Sequence, residues 1–326
     1  MRVLGNRKNL EYLGDAAKHG RLSHAYLITG DKGMGKKTFA YNAARAVLCE
    51  RLGSFEGFMP CGGCSACKRS LSWNHPDIIR ITHEKKNTLS VDEIRNGIVG
   101  DILIKPYYGP YKIYIIEDAC LMQAQAQNAL LKTIEEPPAY AVIFLLADNA
   151  RLLLDTIRSR CVRLDMEPLE GPLIEAELKA RGADGTAARE AAACAAGNLG
   201  TALRFLEDDD FPELVRRIAD VLCAIKDTDA AGLFDIAAEL AAQDAQDAAD
   251  TVEKWFRDVL VIKAAKGQKL YFPGYRDVLS KQAERISYEN LNNIFNETQE
   301  AQSRLRFNVN AAAVWETLLL RIRHYG

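Results

Sequence analysis

The segment AYLIT runs directly into GDKGMGKKT and then into FAYNAARAVL. A short apolar strand, a glycine-rich turn and a helix in that order form an anion-binding unit, because the turn and the helix start present unpaired backbone N–H groups. That order also bears on the fold, since a strand passing into a helix is the unit from which a parallel sheet with crossover helices is built. Against the phosphate-loop pattern G-x-x-x-x-G-K-[ST], Gly30, Gly35 and Lys36 match, and Gly33 adds a further glycine to the turn. Lys37 stands where a hydroxyl normally holds Mg²⁺, and Thr38 follows one position late. A charged lysine has no lone pair to offer a metal. The loop is therefore expected to descend from a nucleotide site that no longer supports Mg²⁺ chemistry, with ATP or ADP held weakly if at all.

The front half alternates apolar runs with amphipathic stretches, as expected of a parallel sheet covered by helices on both faces. Strands are predicted at Ala25–Thr29, Asp77–Ile81, Lys112–Glu117, Ala141–Ala147 and Val162–Met166. In SVDEIRNGIVGDILIK, Ser90 and Glu93 have capping-box spacing at the start of a helix. A second helix is predicted over Gln123–Glu135, stopped by Pro137 and Pro138. Beyond Met166 the strand signals end, and alanine, leucine and charged residues recur at helical spacing. The expected organisation is a nucleotide-type α/β domain over 1–166, a small helical segment over 167–208 and an all-α domain over 209–326.

Charge divides the same way. Residues 1–166 carry 23 Lys+Arg and 17 Asp+Glu, a net +6, leaving 19 and 27 of the totals of 42 and 44, a net −8, for the remainder. This balance permits anion handling in the front half and argues against a dedicated, strongly basic DNA-binding protein. No apolar run approaches a membrane span, and MRVLGNRKNL opens without a signal-type apolar region, so a cytoplasmic protein without membrane contact is expected.

Three further features carry chemistry. KIYIIEDA places Glu117 and Asp118 at a strand end, where ATPases hold Mg²⁺ through a carboxylate, but the order is E-D rather than the common D-E. Cys49, Cys61, Cys64 and Cys67 follow a C-x11-C-x2-C-x2-C spacing, which suits a closed four-sulfur structural Zn²⁺ site. Cys120, Cys161, Cys194 and Cys223 are scattered in apolar or helical contexts and read as packing residues. Finally, SRC (residues 159–161) places Arg160 just before the last strand. By pattern alone, Arg160 is a surface ion-pair former, the usual case for an arginine, or a group that reaches a phosphate bound by a neighbouring chain, and the pattern does not separate the two.

Taken in order, HAYLITGDKGMGKKT, the cysteine cluster, KIYIIEDACLM, NALLKTIEEPP and TIRSRC resemble the landmarks of bacterial clamp-loader subunits of DNA polymerase III, within the AAA+ superfamily. The resemblance implies an AAA+ domain with a zinc-binding insertion, a helical lid and a carboxy-terminal collar that oligomerises. It also implies gamma/tau and delta subunits as partners, with primer-template DNA and the sliding clamp met within the complex. The gamma and tau motor subunits carry an intact hydroxyl, a D-E pair and a later arginine, whereas this chain has Lys37, Glu117-Asp118 and Gly200 at those places. It is more similar to the branch whose own nucleotide site is degraded and whose SRC arginine, here Arg160, is offered in trans to a neighbour's ATP. Two alternatives stay open: an active motor in which Thr38 and Asp118 take over Mg²⁺, and a scaffold in which neither nucleotide nor Arg160 matters.

Overall fold

The structure, a computed structural model, describes residues 3–52, 58–72, 74–83, 88–264, 270–306 and 310–326, so the first two residues of the MRVLGNRKNL opening lie outside the described residues. The chain divides into two compact units, Met1–Leu169 and Glu170–Gly326. The first boundary falls three residues beyond the expected 166, and the expected lid range, apart from residues 167–169, shares the second unit with the expected collar range.

In the first unit, strands β1 (Ala25–Thr29), β2 (Ile78–Ile81), β3 (Lys112–Ile116), β4 (Ala141–Ala147) and β5 (Val162–Asp165) form one sheet of order β2-β3-β4-β1-β5. Every pairing is parallel. The helices are α1 (Arg7–Lys18), α2 (Lys36–Val47), α3 (Ser65–Arg69), α4 (Val91–Ile94), α5 (Ala124–Glu135) and α6 (Asp155–Arg158). Two cores explain why β1, β3 and β4 read as continuous apolar runs. Tyr26, Ile28, Ile113, Ile115, Phe144 and Leu146 pack with Phe39, Ala43 and Val47 of α2 on one face. Leu27, Tyr114, Ile116, Ile143 and Leu145 pack with Ile94, Leu130 and Ile134 on the other. Strands buried on both faces show no alternation.

The α4 start carries the expected capping box: Ser90 Oγ accepts from the Glu93 N–H, and the Glu93 carboxylate accepts from the Ser90 N–H. The α-helix lasts only one turn and passes into a π-helical turn over Arg95–Val99. Asn96 and Gly97 are weak helix formers, and Gly97 lies so close to Ile81 that an added Cβ would sit 2.8 Å from Ile81 Cγ1. The longer turn accommodates that approach.

The second unit is helical: α7 (Gly171–Ala180), α8 (Gly185–Cys194), α9 (Leu199–Glu207), α10 (Asp210–Ala224), α11 (Ala230–Ala241), α12 (Ala245–Ala264), α13 (Arg276–Arg285), α14 (Tyr288–Arg306) and α15 (Ala311–Tyr325). Its core centres on Trp255 and Trp315, both fully buried. Trp255 Nε1 donates to Gln282 Oε1 at 2.8 Å, and Gln282 Nε2 donates to the Leu222 carbonyl at 2.9 Å. Thus α10, α12 and α13 are tied by hydrogen bonds as well as by apolar packing, and the buried Trp255 and Gln282 side chains are paired.

Candidate functional site

The phosphate loop lies where sheet topology favours a ligand. From β1 the chain crosses to β2 on one side, while from β4 it crosses to β5 on the other, so a crevice opens beyond the carboxyl ends of β1 and β4. Gly30, Gly33 and Gly35 have φ of 152°, 92° and 87°. These positive values need glycine. Gly35 caps α2, whose first residue is Lys36. Lys36 is only 8% exposed and curls back into the loop: its Nζ donates to the carbonyls of Gly30 (2.6 Å) and Asp31 (3.0 Å) and meets Asp148 Oδ1 at 2.5 Å. Asp148 directly follows β4.

Lys37 Nζ reaches Glu117 Oε2 at 2.8 Å and Asp118 Oδ2 at 3.4 Å. On their other sides, Arg80 Nε meets Glu117 Oε1 at 2.8 Å, and His83 Nε2 lies 3.4 Å from Asp118. The carboxylates that would face a metal are thus paired with cationic groups of the chain. Burial pulls the Lys37 pKa down, but hydrogen bonding and charge from Glu117, then Asp118, outweigh it and raise the pKa above its ordinary value. The ammonium therefore stays charged at neutral pH. Asp118 adopts a left-handed conformation, φ 47° and ψ 47°. Non-glycine residues hold it at a cost of roughly 1–3 kcal/mol, and such strain collects at functional sites and their relics. Thr38 lies one residue on from Lys37, a rotation of about 100° around the helix. It has no part in the ion-pair cluster; its carbonyl accepts from Asn42 Nδ2.

The four cysteines converge. Cys49 follows α2, Cys61 and Cys64 flank the Gly62-Gly63 turn, and Cys67 lies on α3, with all four sulfurs within 4.8 Å of one another. The Cys49–Cys64 and Cys61–Cys67 sulfur separations are both 3.9 Å. Four thiolates bound tetrahedrally at the usual Zn–S length of about 2.3 Å would lie about 3.8 Å apart. Backbone N–H groups of Cys61, Cys64 and Cys67 point at the sulfurs of Cys49, Cys61 and Cys64 respectively. The N–H groups of Cys64 and Gly63 lower the Cys61 thiol to about 6, while burial raises Cys49 and Cys67. The all-sulfur, closed and largely buried donor set fits a structural tetrahedral ion.

Arg160 lies elsewhere. The β1/β5 register pairs Tyr26 with Val162 and Thr29 with Asp165. Arg160 is therefore level with His24, at the amino end of the sheet, while the phosphate loop begins at Gly30. Six residues of strand at about 3.3 Å each put roughly 20 Å between those levels. Arg160 cannot serve its own chain's loop. It is 41% exposed, with Nη2 on Glu135 Oε1 at 2.9 Å and Nη1 on the Thr156 carbonyl at 3.0 Å.

The family model for "DNA polymerase III, delta subunit" matches residues 5–170, and that for "DNA polymerase III, delta subunit, C terminal" matches residues 209–324. The chain belongs to the DNA polymerase III delta-subunit family. Among its relatives, DNA polymerase III subunit delta' of Bacillus subtilis is 29% identical over 320 residues, covering 96% of this chain and 95% of that protein. The Escherichia coli subunit of the same name is 38% identical over 156 residues, 48% of this chain and 46% of that protein. The Bacillus subtilis tau subunit is 36% identical over 172 residues, 53% of this chain but 30% of the relative. The Bacillus subtilis delta' match thus spans nearly the whole chain, whereas the tau and Escherichia coli delta' matches span about half of it. A gamma-subunit-related structure from Thermotoga maritima aligns over 96% of this chain and 99% of its own at 18% identity, with a TM-score of 0.40.

The loop glycines, Lys36, Lys37, Glu117 and Asp118 lie at one end of the sheet, and the four cysteines form one cluster. The polymerase-family chain also uses residues that pattern reasoning missed. Asp148 holds Lys36, Arg80 flanks Glu117, His83 flanks Asp118, and Glu135 holds Arg160. Only Glu135 had a sequence signal, its place in the IEEPP segment. No described helix is long and apolar enough to cross a membrane.

Proposed function

We propose that the chain is the delta-prime-type subunit of a bacterial clamp loader: a member that turns over no ATP itself and supplies Arg160 to ATP bound by an adjacent gamma/tau-type subunit. The observation that carries the reading is Lys37 seated on Glu117 and Asp118, which puts a fixed ammonium where a nucleotide hydrolase needs a divalent cation. Phosphate-loop catalysis requires that metal to neutralise charge on the transferring phosphoryl group. A finger, by contrast, needs only reach, charge and a fixed frame, and Arg160 stands half-exposed at the opposite end of the sheet from its own loop.

In this reading the cysteines hold one structural Zn²⁺ that would join the chain after α2 to α3. Residues 167–208 would form a lid and residues 209–326 a collar, through which the chain joins gamma/tau and delta neighbours. The assembled loader would act on the sliding clamp and primer-template DNA in the cytoplasm. An intact motor with Thr38 in the metal-binding role is disfavoured, since Lys37 already occupies the acidic pair. The test is ATP turnover by the purified single chain with Mg²⁺. The reading expects none above background; turnover abolished by Lys36→Ala would overturn it.

A further inference from the structure

The sequence places two carboxylates, Glu135 and Glu136, at the carboxyl end of α5, where the helix dipole is negative and acidic residues are locally unfavourable. Glu135 is held there by a cation from outside the helix, the Arg160 guanidinium, at 2.9 Å. The partners are 41% and 44% exposed, and exposed ion pairs contribute little to stability. The pair therefore has a weak structural rationale and a specific geometric effect.

A guanidinium carries five N–H groups in one plane. Here one on Nη2 is taken by Glu135 Oε1 and one on Nη1 by the Thr156 carbonyl at 3.0 Å, so two separate nitrogens are tethered. Two tethers to a planar group fix its orientation. The Nε–H and one N–H on each terminal nitrogen are left for another acceptor. Arg160 lines a shallow recess of about 440 Å³ together with His24, Ile134, Glu135 and Glu136.

We propose that Glu135 is a positioning residue for Arg160, orienting the guanidinium so that its remaining N–H groups address a phosphate presented by the neighbouring subunit. The inference rests on the reading of Arg160 as a finger offered in trans. An arginine without tethers must be ordered at the moment of use, and ordering one such side chain costs a factor of about 2 to 13. Glu135 removes most of that cost beforehand while remaining displaceable, because the pair is open to solvent.

The experiment is steady-state ATP hydrolysis by the reconstituted complex carrying Glu135→Ala, Glu135→Gln, Arg160→Ala or the Glu135→Ala/Arg160→Ala pair. Glu135→Ala is expected to lower kcat by about 3- to 10-fold while leaving KM for ATP and the melting temperature of the isolated chain unchanged. Glu135→Gln, which keeps an oxygen acceptor, should restore most of the rate, and the double variant should match Arg160→Ala. A parental or higher rate for Glu135→Ala beside an impaired Arg160→Ala overturns the positioning role, as does a double variant slower than Arg160→Ala. A parental rate for Arg160→Ala overturns the finger reading itself, and this inference with it.

Discussion

Replacing Lys37 by threonine restores the phosphate-loop hydroxyl and removes the ammonium from between Glu117 and Asp118. The Glu117 side chain is only 4% exposed and has cations on two sides, Lys37 at 2.8 Å and Arg80 at 2.8 Å. Two unit charges at that distance attract by about 6 kcal/mol at an effective dielectric of 20. Much of that is cancelled by desolvation, and Lys37 is 51% exposed, so solvent screens the pair further. Stripping one partner from a fully buried pair costs about 3–5 kcal/mol; with Arg80 still in place, a loss of about 1–2 kcal/mol is the reasonable fraction. For a unit of this size that corresponds to a melting temperature lower by about 2–8 °C. The same change takes the ammonium off both carboxylates and adds a hydroxyl for a divalent cation. Added Mg²⁺-ADP should then restore stability by RT ln(1 + [L]/Kd), about 2.7 kcal/mol at a ligand concentration one hundred times Kd. Thermal unfolding followed by circular dichroism, in EDTA-free buffer with and without Mg²⁺-ADP, reads both effects. Lys37→Met serves as the control that is destabilised but not rescued. Equal melting temperatures for parent and Lys37→Thr without ligand, together with equal responses to Mg²⁺-ADP, would refute the claim that Lys37 stands in for the metal.

Other outcomes follow from the same geometry. Metal analysis of the purified chain should find about one zinc per chain, and Cys64→Ser should lose it and lower the melting temperature of the first unit without changing residual activity of the assembled complex. His75 is buried, and its pKa is lowered chiefly by that burial and further by Arg69, against the pull of Asp77. The folded state thus binds this proton less readily than the unfolded chain, whose histidine titrates near 6.5. Its neutral form accordingly supports stability above about pH 6.5, and that support is lost as pH falls toward the lowered folded value. Denaturant melts between pH 7.5 and 5 should show this slope in the parent and a smaller one in His75→Asn, whose side-chain oxygen can still accept from the Asp77 N–H; identical slopes would contradict it.

Much of the front-half fold was legible because the sheet is parallel and covered on both faces. β1 and β4 occupy the predicted residues, and β2, β3 and β5 differ by one residue at an end. The apolar runs at these strands have no competing helical period. The π-turn after Ile94 was not legible: Gly97 in that turn lies close against Ile81 of β2, an approach that depends on β2 lying beside it and that sequence spacing does not show. The same holds for the candidate site. Lys37 announces a defect by occupying a hydroxyl position, but its partners Glu117 and Asp118, and their partners Arg80 and His83, come from separate strand ends. Only the strand order β2-β3-β4-β1-β5 brings those ends into range. The cysteine cluster was readable from spacing because three of its ligands are local. Arg160 had a recognisable setting, whereas its separation from its own loop required the β1/β5 register.

The most direct test of the account is hydrolysis of ATP by the reconstituted complex in a single turnover, comparing parent with Arg160→Ala after size-exclusion chromatography has verified equal assembly. Fingers in other nucleotide hydrolases contribute about 10³- to 10⁵-fold, so the turnover phase assigned to the subunit next to this chain should slow at least tenfold. A parental time course in a fully assembled complex would contradict the account and leave this chain a scaffold.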